Sequence, residues 1–196
     1  MNTTNLFVEL IVIGAGAATW VGLLLMSLFG YNWLSLTEIT SVIVLIPSIS
    51  LIYFLGIIVD RLADEIFSKY DKEIRNKYFP DNNIYHEART YTYTYATDRI
   101  INLFEYGKSK MRITRAWSIN NLLLAISTSI FVLTRFPSTS LNTRLLITVF
   151  ATITFAICFL ATLIAWKKLT HNDYKRLAET FEFLKYERKK AELKDR

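Results

Sequence analysis

Four stretches of this chain are almost free of charge, and each is close to the length that crosses a bilayer. They run from Leu6 to Phe29, Ile39 to Val59, Trp117 to Thr134 and Leu145 to Trp166. A bilayer core takes about 18 to 20 apolar residues in helical form. Inside it only helices and closed barrels can satisfy their backbone groups. An apolar fraction of 52% would not separate this chain from a soluble domain; its concentration into four blocks does. The first block carries one acid, Glu9, and the second carries Pro47, which a membrane helix tolerates as a kink. The third is the most polar, with Asn120, Asn121, Ser127, Thr128 and Ser129. The first block lacks a basic leader and is too long for a cleavable signal, so it reads as a retained span. No lipidation motif accompanies it. The single cysteine, Cys158, excludes an intramolecular disulfide and reads as a small buried apolar residue. The expected fold is all-α: transmembrane helices in 6–59 and 117–166, with helices extended into a small helical cytosolic domain from 60–116 and 167–196.

Charge sets the expected orientation. The segment 60–116 holds 11 Lys/Arg and 9 Asp/Glu, and the segment 167–196 holds 10 and 6. The other two bases, Arg135 and Arg144, flank the short loop between the third and fourth spans, and the loop Gly30–Glu38 has none. Excess Lys/Arg marks the cytoplasmic side. The chain is therefore expected to be a multi-pass protein of the cell inner membrane with both termini cytoplasmic. Bases close to the inner surface also answer anionic lipid, so lipid is one expected partner.

The cytosolic segments read as helix. Leu62, Ile66, Tyr70, Ile74 and Tyr78 recur four apart, which puts them on one slowly drifting face of a helix that extends the second span. Pro80-Asp81-Asn82-Asn83 predicts the turn that ends it. Thr97-Asp98 can cap a helix that continues without proline into the third span, weakened modestly by Gly107. Between them lies Thr90–Tyr95, TYTYTY, which alternates as a strand would. No partner strand is in sight and a lone strand is unstable, so a short irregular or helical segment is expected. As helix it puts Tyr91 and Tyr95 on one face and Tyr93 off it, with packing on neighbouring helices as the first reading and ligand stacking as the second. After the fourth span, Tyr174, Leu177, Phe181, Leu184 and Ala191 fall at heptad a/d spacing, with Arg188 in one of those positions.

No catalytic signature is present. His86 and His171 lack companions at metal-ligand spacing, and no enzyme activity or cofactor is expected. The Gly14–Ala18 run is buried in an apolar stretch and is no nucleotide loop. Gly14, Ala18 and Gly22 instead form a small-residue face suited to close helix packing, within a subunit or between copies. Glu9 reads either as an acid in the headgroup layer or as a ring at the mouth of an oligomeric pore. Asn121 with Thr128, and Thr148 with Thr152, form polar faces that line water or bond between helices. Lys108, Arg112 and Arg115 share a helix face just inside the membrane, with Lys110 to the side. They read as topology anchors, or as a site for an anionic ligand such as a nucleotide, an oligonucleotide or a lipid headgroup. In the second reading Tyr91, Tyr93 and Tyr95 supply stacking faces.

The charge-free stretches, the basic helical cytosolic part and the tyrosine-rich segment together resemble small four-pass membrane effectors of bacterial phage-defence operons. Across the whole chain the layout is similar to the membrane subunit of the Hailong system, in which a nucleotidyltransferase partner makes an oligonucleotide that controls a membrane channel. The Kiwa membrane subunit is the second likeness. The resemblance implies a homo-oligomeric pore governed from the cytosol. The alternative from another class is a non-conducting anchor or sensor that recruits a soluble cytosolic partner protein through its helices.

Overall fold

The structure, a computed structural model, describes residues 3–31 and 42–194. The expected first outer loop and the start of the second span fall largely on 32–41, outside those residues. The described chain is all-helical, with no strand among the described residues. Five helices follow in order: α1 Thr3–Phe29, α2 Val42–Asn76, α3 Asn82–Tyr95, α4 Asp98–Arg135 and α5 Leu141–Lys194. Four of them, α1, α2, α4 and α5, are long and apolar enough to cross a membrane.

The helices start and stop where local chemistry dictates. α1 ends at Gly30, whose φ of 82° is in the left-handed region and whose N–H donates to the Met26 carbonyl at 3.0 Å. Arg135 then donates to the α1 carbonyls of Ser27 at 2.9 Å and Leu28 at 2.6 Å. Arg144 caps α4 in the same manner through the Leu133 carbonyl at 3.1 Å. Both bases thus sit at the negative ends of helices. α2 keeps Pro47 near its start, where few carbonyls precede it. It ends before Pro80, and Asp81 caps α3 by accepting from the Asn83 N–H at 3.0 Å. TYTYTY forms the last turns of α3, with the Tyr91 and Tyr95 rings 4.6 Å apart.

Two compact units result: Met1–Asp64 with Arg112–Ile164, and Glu65–Met111 with Ala165–Arg196. The first gathers the four apolar runs and is called the membrane unit below; the second is the helical unit. The divisions fall at 64, 111 and 164.

The core of the membrane unit is built by α1, α2 and α4 around Ile13, Ala17, Val59, Ala63 and Ala116. α1 and α2 touch backbone to backbone: a Cβ on Gly14 would overlap the Ile52 carbonyl oxygen, and one on Gly56 the Leu10 carbonyl oxygen. Gly22 has open space, its nearest neighbour being Met26 Cε at 3.8 Å. The small-residue face is therefore a contact within the subunit at Gly14 and leaves Gly22 uncovered. α5 joins the membrane unit through hydroxyl pairs, Ser118 to Thr162 and Ser129 to Thr152, both at 3.2 Å. Its Leu146, Phe150, Ile153, Ile157 and Ile164 stay exposed, and Cys158, expected to be buried, is exposed as well.

The four-apart run on α2 does not coincide with its buried face. Leu62, Ile66 and Tyr70 are exposed, while Val59, Ala63, Phe67 and Ile74 are buried. Each step of four residues turns a helix by about 40° beyond a full turn. A five-member run at that spacing therefore winds off any flat core, which it fully meets only at Ile74.

In the helical unit the tail face is buried at Tyr174, Leu177 and Phe181, half-buried at Leu184 and exposed at Arg188 and Ala191. Tyr174 donates to Asp71 Oδ2 at 2.8 Å and stacks edge-on with Tyr85, and Phe67 packs edge-on against Trp166.

Candidate ligand site and the ionic network

The residues that the sequence groups as one anionic-ligand site part into separate neighbourhoods. Arg112 and Arg115 lie in the membrane unit, held by acids of the same chain. Arg112 Nη1 meets Glu9 Oε2 at 2.9 Å, and Arg112 and Arg115 share Asp60 Oδ1 at 3.7 and 3.6 Å. Arg115 also donates to Asp64. Glu9 is only 4% exposed. Burial of a carboxylate is tolerable only when it is paired, and Arg112 supplies the pair. The network joins the start of α1 to α2 and α4. These arginines are occupied, so the first duty of Arg112 and Arg115 is to neutralise Glu9, Asp60 and Asp64.

Lys108 belongs to the helical unit. Its ammonium donates to the Tyr93 hydroxyl and lies 4.6 Å from the centre of that ring. Tyr93 in turn donates to Glu105 Oε1 at 3.1 Å. Burial, and then the Glu105 bond, pushes the Tyr93 hydroxyl up to about 12. Burial lowers the Lys108 ammonium below its ordinary value, with Arg89 adding to the effect. Asp173 of α5 enters this cluster through the notch left by Gly107: a Cβ there would stand 3.1 Å from Asp173 Oδ1. The weak point that Gly107 makes in α4 therefore has a packing reason. Lys110 lies over the Tyr106 ring at 4.2 Å.

Burial raises the Asp173 carboxyl from 3.8 to about 6. The folded unit thus holds this proton more tightly than the unfolded chain does. The resulting stability is full below about pH 4 and is lost as pH rises through about 6. We expect the unfolding free energy, and with it the melting temperature, to fall across that window, the free energy by up to about 1.4 kcal/mol per pH unit. Asp173→Asn should flatten the slope; a melt series in which it keeps the wild-type slope would refute the assignment.

Tyr91 and Tyr95 occupy another face, and here the helical unit opens a groove of about 450 Å³ lined by His86, Glu87, Thr90, Tyr91, Thr94 and Tyr95. The tail of α5 borders these residues. Phe181 meets the Tyr91 ring edge-on at 5.6 Å, and Arg188 lies over Tyr95 at 4.6 Å. Lys185 pairs with Glu87 at 2.8 Å. The Tyr95 and Tyr91 hydroxyls near the Arg188 guanidinium hold it further towards its charged form. The combination is two rings tilted at 52° to each other, several hydroxyls and two exposed bases, each with an acid beside it, Glu87 for Lys185 and Glu192 for Arg188. It can accept a planar ring together with an anionic group. The sequence reading missed Lys185 and Arg188. The one signal for Arg188 was a charge in an a/d position that an apolar residue would normally hold.

The polar positions expected to line a pore are also dispersed. Glu9 and Asn121 are buried inside the subunit, Thr128 and Thr148 are half-buried, and Thr152 is exposed and bonded to Ser129. Asn120, the neighbour of Asn121, makes the bonds across to α1. Among the described residues no group of His, Cys, Asp or Glu could hold a metal ion.

Comparison of the chain with protein-family models, with curated proteins and with solved structures finds no match in any of the three.

Proposed function

We propose that the chain is the subunit of a homo-oligomeric, channel-type effector of the inner membrane, controlled from the cytosol by an anionic ligand of the nucleotide or short-oligonucleotide class. The observation that carries this reading is the groove at Tyr91 and Tyr95, with Arg188 and Lys185 beside it. Four spans return the chain to the side it started from, and 21 of its 23 Lys/Arg lie in the two segments that face that side. The positive-inside bias makes that side the cytoplasm. The exposed apolar faces of α5 and the uncovered Gly22 supply surface for neighbouring copies. The layout shared with phage-defence membrane subunits supports a role in defence. A second reading, a non-conducting anchor for a soluble partner, draws on Phe183, Tyr186 and Leu193, which the tail of α5 leaves exposed.

The test uses chain purified in mild detergent, where a particle several times the monomer mass is expected. Labelled short oligonucleotides should bind and should weaken steeply with salt. Base–aromatic stacking is worth about 1–3 kcal/mol per base, so Tyr95→Ala should weaken binding about 5- to 150-fold. Arg188→Ala should also reduce the salt slope. Ion flux should respond to ligand only in vesicles that expose the helical unit. Equal binding by wild type and both variants would remove the groove from the mechanism. A clean monomer without flux would favour the anchor.

A further inference from the structure

The membrane unit contains a buried polar seam that the ligand groove does not involve. α1 places Glu9, Gly16, Trp20 and Ser27 within about 40° of one another around its axis. α4 places Arg112, Asn120, Ser127 and Arg135 along its facing side. The two helices meet at successive levels. Arg112 pairs with Glu9 at 2.9 Å; Asn120 Nδ2 donates to the Ile13 carbonyl at 2.9 Å; Trp20 Nε1 donates to Asn120 Oδ1 at 3.1 Å; Arg135 Nε donates to the Ser27 carbonyl at 2.9 Å. Glu9 meets Arg112 and Ser27 meets Arg135, so α1 and α4 run parallel through the unit. Gly16 is part of the design, because a Cβ there would stand 2.6 Å from Asn120 Nδ2. Glu9, Asn120, Ser127 and Ser27 are all buried, and the Ser127 hydroxyl bonds only within its own helix, to Leu124 at 3.3 Å.

A seam needed only for adhesion would pack as closely with small apolar residues, as Gly14 does against Gly56. This one instead keeps a polar group at each level, and water can replace every partner in turn. Polar side chains on facing membrane helices bond between helices or line an aqueous track. We infer that the α1–α4 seam is a latent path through the single subunit, closed here, which takes up water and passes small cations when α1 parts from α4. At one end Glu9, Asp60 and Asp64 offer carboxylate oxygens to an entering cation, and Arg112, Arg115 and Arg61 balance their charge. The inference rests on the channel reading above and locates the path inside the subunit, whereas that reading alone would allow a path between copies.

The test is thiol accessibility in full-length chain reconstituted into vesicles. Cys158→Ser removes the native thiol. Ser27→Cys and Ser127→Cys then place near-isosteric thiols on the seam, and Thr152→Cys places one on exposed α5 as the comparison. Potassium flux is driven by stepped voltage, with and without short oligonucleotides, and a charged methanethiosulfonate is added. The expected result is at least tenfold faster modification of both seam thiols while flux runs, with block of that flux and no change at position 152. Flux that persists over unreactive seam thiols, or is blocked only from position 152, would overturn the intrasubunit path and leave the channel reading standing. Absence of potassium flux under every condition would overturn the channel reading and this inference with it.

Discussion

Gly14→Ala and Gly56→Ala should each prevent the membrane unit from forming its native helix contacts, whereas Gly22→Ala should leave the subunit fold unchanged. The glycines at 14 and 56 stand where α1 and α2 cross, and each added methyl would occupy the space of a carbonyl oxygen on the facing helix. A flexible side chain could turn aside, but a backbone carbonyl moves only with its whole helix. Overpacking of a core typically costs about 1–3 kcal/mol, and a backbone obstruction lies at or above the top of that range. Separating α1 from α2 would also open the cluster of Ile13, Ala17, Val59, Ala63 and Ala116. The readout is the yield of monodisperse protein in mild detergent and its resistance to limited proteolysis. Wild-type yield and melting for Gly14→Ala would show that the crossing is looser than the structure has it.

The second large effect is expected at Arg112. Arg112→Ala leaves the Glu9 carboxylate buried without its partner, and breaking a buried pair from one side costs about 3–5 kcal/mol. Glu9→Gln in the same chain removes the stranded charge and should recover most of the loss. That rescue separates a structural role from a ligand role. If Arg112 served mainly to hold a cytosolic anion, Arg112→Ala would melt like wild type and lose only ligand response, and Glu9→Gln would rescue nothing. The cycle is read by thermal melting of wild type, both single variants and the double variant under one buffer. Arg115, shared between Asp60 and the more exposed Asp64, should give the smaller loss of the two.

The features legible in the sequence are those governed by run length and local chemistry. The four apolar blocks, the continuous helices through α2, α4 and α5, and the turn at Pro80-Asp81 all follow from short-range rules. The tyrosine run was readable as helix because a strand needs a partner that the chain does not supply. Long-range pairings were not legible. Nothing near Arg112 in the sequence points to Glu9, because the partner comes from another helix. Asn120 and Asn121 are adjacent and differ by about 100° around the helix. Only the docking of α1 decides that Asn120 makes the bonds to α1. The same limit explains Gly14 and Gly22, which share a face but not a crossing. The groove escaped the sequence reading because Lys185 and Arg188 follow Tyr95 by a whole membrane hairpin.

The bonds along the seam span long stretches of chain: 103 residues from Glu9 to Arg112, 107 from Ile13 to Asn120 and 108 from Ser27 to Arg135. A ribosome therefore delivers α1 to the bilayer before any of these partners has been made. During that interval the Glu9 carboxylate must remain wet, and its place near the start of α1 allows this. The carbonyls that Arg135 later caps, Ser27 and Leu28, lie at the other end of α1, where water also reaches. The first span is thus able to wait, and arrival of the third span completes it at both ends.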